Sequence, residues 1–133
     1  MAPDLGSALD GLGRDVSGVA AVYLFGSHAE GTAAPDSDVD LAVLANRPLG
    51  AAERFDVQER IAARLGCDVD LVDLRAASTV MQAQIVSTGR VVLEADPGAR
   101  ARFETAAYSA YALLNEERAG ILADIAARGS VYG

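Results

Sequence analysis

The sequence predicts an α/β (α+β) domain: a mixed four-stranded sheet flanked by helices, with a long C-terminal helix. Three observations carry that prediction. Apolar runs of strand length lie at Val19–Phe25, Asp38–Leu44, Cys67–Leu74 and Val91–Leu93. The segments around them repeat apolar residues three or four apart, as helices do. The resulting order is helix, strand, strand, helix, strand, helix, strand, helix, which covers a sheet with helices. With 133 residues, 51% of them hydrophobic, and no internal repeat or linker, the expectation is a single domain over 1–133. Its core spans about 18–95 and its C-terminal helix about 97–128.

Each element follows from local pattern. Residues 4 to 15 carry Leu5, Leu9 and Leu12 at helical spacing, and Ser17-Gly18 ends that short amphipathic helix. Val19 to Phe25 is almost wholly apolar and reads as a buried strand. Ser27 to Glu30 predicts one helical turn before Gly31. Thr32 to Ser37, with Pro35 and Asp36, predicts a loop. Pro48 sits near a helix start, and Phe55, Val57, Ile61 and Leu65 mark a helix over 49–65 that Gly66 stops. Residues 76 to 88 form the next helix, with Val80, Met81, Ile85 and also Gln84 expected inward and Gly89 at its end. Pro97 opens the long helix, whose apolar side carries Phe103, Tyr108, Tyr111, Leu114, Ile121, Leu122 and Ile125. That stripe packs either on the sheet or on a partner protein.

Charge narrows the function. Nineteen acids oppose 11 bases, a net charge of −8. A protein that grips long DNA or RNA normally shows a basic face, so no long nucleic acid is expected. A small nucleotide delivered with Mg2+ suits this balance, as does a basic protein partner. No apolar run is long enough to span a bilayer and Met1 to Asp15 lacks the apolar segment of a signal peptide, so no membrane and a cytoplasmic location are expected. The one cysteine, Cys67, excludes an internal disulfide and a cysteine-based zinc site; it reads as a small core residue.

The chemistry concentrates in two short stretches. Gly26-Ser27 closes the first apolar run, and ten residues later Asp38 and Asp40 open the second. Residues two apart on a strand share a face, so the two carboxylates sit side by side and repel unless a cation lies between them. A Gly-Ser turn beside them offers close backbone approach, N–H groups and a hydroxyl, which suit the β- and γ-phosphates of a nucleotide. Four residues at this fixed spacing recur by chance in roughly a few chains per thousand of this length. Two-metal transfer commonly uses a third carboxylate from a neighbouring strand. Asp68, Asp70 and Asp73 are the candidates. Asp70 is preferred because it is embedded among apolar neighbours, Asp68 is second, and Asp73 reads as a cap for the following helix. Ser37 either touches phosphate or orients the loop. His28 either contacts the nucleotide or has a surface role. Arg47, Arg54 and Arg75 either neutralise phosphate or are solvated.

The whole phrase from Phe25 to Leu41, with Gly26-Ser27 and Asp38-X-Asp40, resembles the DNA polymerase beta-like nucleotidyltransferase superfamily, and in a chain this short its minimal nucleotidyltransferase (MNT) group. Val69 to Leu74 is similar to that group's third-carboxylate strand, and Ala127 to Gly133 to MNT antitoxins that pair with a HEPN-domain toxin. The resemblance implies the nucleotidyltransferase fold and an antitoxin that uses ATP and Mg2+ to move AMP onto a tyrosine of a HEPN ribonuclease. It implies that Asp38 and Asp40 bind two Mg2+ ions, that Asp70 joins them and helps activate the tyrosine hydroxyl, and that Ser27 holds the triphosphate. The alternatives are an antitoxin acting by occlusion alone and a small-molecule nucleotidyltransferase of the aminoglycoside type. A homo-oligomer is compatible with all three.

Overall fold

The computed structural model describes residues 5–31 and 37–132. Two short helices, α1 (Leu5–Leu9) and α2 (Leu12–Asp15), precede β1 (Val19–Phe25) and the single turn α3 (Ser27–Glu30). There follow β2 (Val39–Ala45), α4 (Ala51–Leu65) and β3 (Val69–Asp73). A 3-10 turn (Leu74–Ala76), α5 (Thr79–Thr88), β4 (Arg90–Glu94) and α6 (Pro97–Tyr132) complete the chain. The sheet order is β3-β2-β1-β4. β1 is antiparallel to both neighbours, and β2 is parallel to β3 through the α4 crossover.

Side-chain alternation along the strands separates two apolar layers. Val22, Leu24, Val39, Leu41, Val43, Val69 and Leu71 face one way and pack on Leu9, Leu12 and Val16 and on Val57 and Ile61 of α4. Tyr23, Ala42 and Leu44 face the other way, against Ile85 and Val86 of α5 and Phe103 and Ala107 of α6. Asp40, two residues before Ala42, belongs to this second face.

Several boundaries differ from the sequence reading. The N-terminal helix is two pieces because Gly11 adopts a left-handed conformation, φ 84°. β2 starts at Val39, so Asp38 lies just ahead of it. β3 is shorter than Cys67–Leu74. The Asp73 side chain accepts the Arg75 N–H at 3.2 Å and turns the chain out of the sheet, so it does cap, but it caps the 3-10 turn. Ser78 caps α5 itself, accepting from the Met81 N–H at 3.2 Å. Residues 32–36 of the expected loop lie outside the described residues.

The long helix divides between the two alternatives open for its stripe. Among the described side chains of α6 only Phe103 and Ala107 are buried, and residues 115–127 are exposed throughout. Leu113, Ile121, Leu122 and Ile125 project into solvent. The stripe predicted for the whole helix therefore covers the sheet only near its start. β3 forms one edge of the sheet, and its backbone at Leu71 is held by α4. The Leu71 N–H donates to Gln58 Oε1 and the Leu71 carbonyl accepts from Arg54 Nη1, each at 3.0 Å. An edge satisfied in this way cannot recruit another strand there. Among the described residues no helix is long and apolar enough to cross a membrane.

Candidate active site

The site grows from a single row across the sheet. Phe25 of β1 pairs with Asp40 of β2, and Asp40 pairs with Asp70 of β3. Directly paired residues share a face and neighbouring strands lie about 4.8 Å apart, so the two carboxylates are adjacent on the α5–α6 side. Asp38, exposed, stands just before them. Burial first, then Asp70, then Asp38 push the Asp40 carboxyl above the ordinary carboxylate range, and His28 opposes them.

Gly26 closes the other side. It adopts φ 73°, ψ −154°, a conformation essentially confined to glycine. A Cβ there would collide with the Asp40 carboxylate, lying 3.2 Å from its Cγ. The turn that presents Ser27 therefore rests directly on Asp40. His28 Nε2 donates to the Ser37 carbonyl at 3.1 Å and so ties α3 to the approach to β2. His28 thus has a structural partner, and Ser37, half-buried, is drawn to the same end of the sheet. Gly31 ends α3 in the left-handed conformation, φ 76°.

The third-carboxylate candidates separate clearly. Asp70 is exposed, not embedded: Val69 and Leu71, which surround it in sequence, point to the opposite face. Asp68 is exposed and precedes the strand, its carbonyl accepting from the Val39 N–H at 3.0 Å. Asp73 is buried on the other side and also accepts the Leu49 N–H at 3.1 Å. Only Asp70 is in direct register with Asp40. The three arginines considered for phosphate all have structural partners: Arg47 pairs with Glu53 at 2.6 Å, Arg54 bonds Leu71, and Arg75 bonds the Ala45 carbonyl and lies 5.6 Å from the Phe103 ring centroid.

Two hollows flank the row. A cavity of about 210 Å³ adjoins Phe25 and Gly26 under α5. On the opposite side, a cleft of about 340 Å³ off the edge of β3 is bordered by Asp70, Val72 and Arg54. The bonds from Gln58 and Arg54 that fix β3 gave no signal in the sequence, because a helix side chain bonding a strand edge depends on tertiary placement alone.

Among the described residues, no three acidic, histidine or cysteine side chains converge into a complete cation cage. The donor set nonetheless fits Mg2+. Hard carboxylate oxygens load one another with negative charge, and Mg2+ takes one or two such groups and fills its shell with water and substrate phosphates.

A Gly-Ser turn seated on paired acids, on one face of a mixed sheet, is the architecture of a domain that handles nucleotide phosphates. The chain belongs to the polymerase beta nucleotidyltransferase family, whose model matches residues 12–98. It is 40% identical over 106 residues to the protein adenylyltransferase MntA of Shewanella oneidensis, spanning 80% of this chain and 76% of that one. A crystal structure of a toxin–antitoxin with AMP-PNP superposes with a TM-score of 0.76 at 37% identity, covering 90% of this chain and 96% of the other. A tri-AMPylated HEPN toxin of Shewanella oneidensis in complex with its MNT antitoxin gives 0.72 at 32% identity, covering 90% and 93%. The fold expected from the sequence, with its mixed four-stranded sheet and long C-terminal helix, is the fold these relatives share.

Proposed function

We propose that this chain is an antitoxin-type nucleotidyltransferase that transfers AMP from Mg-ATP to a tyrosine hydroxyl of a partner HEPN toxin and so neutralises it. One observation carries the reading: the Asp40–Asp70 pair lies against the Gly26 turn in a chain 40% identical to a protein adenylyltransferase. The whole chain, 1–133, acts as one nucleotidyltransferase domain in the cytoplasm.

Gly26 and Ser27 hold the β- and γ-phosphates, with Ser37 beside them. Asp38 and Asp40 are the ligands for two Mg2+ ions, and Asp70 completes the set. When bound, the metal neutralises phosphate charge and lowers the pKa of the attacking hydroxyl. The tyrosine enters from the cleft beside Asp70. Its oxygen forms the new bond to the α-phosphorus, its proton passes to the Asp70 carboxylate, and the bond to the β-phosphate oxygen breaks to release pyrophosphate.

The exposed apolar length of α6 favours a second reading, neutralisation by binding alone. One experiment separates the two. The toxin, incubated with this protein, ATP and Mg2+, is weighed by intact mass spectrometry. Catalysis adds one or more AMP units, and the Asp38→Asn/Asp40→Asn variant adds none. Inhibition of the toxin by a complex that gains no mass would establish occlusion instead.

A further inference from the structure

We propose that the cavity beside Gly26 receives the purine base of the nucleotide, and that Gln84 reads the edge of that base. This rests on the nucleotidyl-transfer reading above and adds to it the source of base preference.

Position is the first argument. Gly26 belongs both to this cavity and to the turn that presents Ser27. Phe25, which lines the cavity, is the β1 neighbour of Asp40, whereas Asp70 lies one strand to the other side. A nucleotide whose phosphates lie on the turn and beside Asp40 therefore reaches this cavity with its base, and leaves the Asp70 cleft clear for the acceptor.

Chemistry is the second. Phe25, Met81 and Ile85 make apolar walls around a fragment-sized space of about 210 Å³, and a base stacks favourably on an aromatic ring. Ligand pockets of this kind orient their occupant with a few polar groups. Two reach this one. Gln84 Oε1 and Nε2 make no hydrogen bond among the described residues, while the Gln84 carbonyl accepts from the Ser87 and Thr88 hydroxyls at 3.2 and 2.7 Å. The backbone at Gln84 is thus anchored and its amide is available, with one acceptor and two donors to match an adenine edge. Glu30 lines the same cavity. A carboxylate there accepts from an exocyclic amine and repels a carbonyl, which favours a 6-amino purine over a 6-oxo purine.

Isothermal titration of the full chain in Mg2+, with AMP-PNP, GMP-PNP and inorganic tripolyphosphate as probes, tests this. The wild type is expected to bind AMP-PNP about tenfold or more tighter than either other probe. Met81→Trp, which fills the cavity, and Gln84→Ala, at an exposed position that leaves the fold intact, are each expected to weaken AMP-PNP severalfold and leave tripolyphosphate unchanged. Equal binding of AMP-PNP and tripolyphosphate by the wild type, or variants that bind AMP-PNP as the wild type does, would overturn the base site. A wild type that binds none of the three probes would overturn the nucleotidyl-transfer reading itself, and the base site with it.

Discussion

Gly26 and Asp40 occupy the same space to within one carbon atom: a Cβ on the glycine would sit 3.2 Å from the aspartate Cγ and still closer to a carboxylate oxygen. With φ at 73° and ψ at −154°, the turn also excludes other residues on backbone grounds, at a cost of about 1–3 kcal/mol. Gly26→Ala is therefore expected to lower the melting temperature and to abolish AMP-PNP binding together. Calorimetric melting and titration on one preparation check this. A stable variant with intact binding would refute the contact.

Mutual repulsion among the acids gives a second expectation. Burial, Asp70 and Asp38 hold the Asp40 carboxyl above the usual carboxylate range. A raised carboxyl stabilises the fold below its unfolded pKa and loses that contribution as pH rises through the folded value, so ionised Asp40 is a burden at neutral pH. Asp40→Asn is expected to raise the melting temperature in EDTA at pH 7.5, and Mg2+ should no longer shift it. Melting curves with and without Mg2+ decide the matter.

Asp70 acts on the acceptor in the proposed reaction. Asp70→Asn should lower the rate of toxin AMPylation by on the order of 10²-fold or more while leaving AMP-PNP affinity within about twofold. Loss of nucleotide binding to the same degree would place Asp70 chiefly among the metal ligands.

The strand edge offers a test of positioning. Gln58→Leu strands the Leu71 N–H, bonded at 3.0 Å in the native protein, and is expected to cost about 1–3 kcal/mol. Hydrogen exchange at the Leu71 amide, read by NMR, should rise in the variant ahead of the amides of β1 and β2.

Tyr23 is buried and its hydroxyl donates to Glu104 Oε2 at 3.3 Å. Burial first, and then the Glu104 charge, push the phenol well above the ordinary tyrosine range. Its neutral form stabilises the fold fully below the unfolded pKa near 10, and that contribution fades as pH rises through the folded value. Alkaline difference spectra should show one of the four tyrosines ionising late, only with unfolding. In Tyr23→Phe that late component should vanish.

Much of this was legible in the chain. The apolar runs located β1 and β2, and a Gly-Ser turn followed by Asp-X-Asp located their shared end. Alternation carried Asp70 onto the same face. What failed were inferences that needed to know which neighbour each face meets. Asp70 stands between apolar residues in sequence, but Val69 and Leu71 point to the opposite face and leave it exposed. Ile121, Leu122 and Ile125 repeat with the period of a core helix, yet nothing in the described residues covers them. Periodicity reports that a face is apolar; it does not say what lies against it. Gly11, a left-handed break inside a regular leucine pattern, was invisible for the same local reason.

The parallel pairing of β2 with β3 has an evolutionary consequence. Because Asp70 meets Asp40 only through that ladder, inserting or deleting one residue in β3 removes the carboxylate and simultaneously turns Val69 and Leu71 out of the core. Inactivity and insolubility would arrive as one event. A lineage that gives up the acids of the proposed site while keeping a folded protein must therefore do so by substitution, leaving the length of this strand untouched.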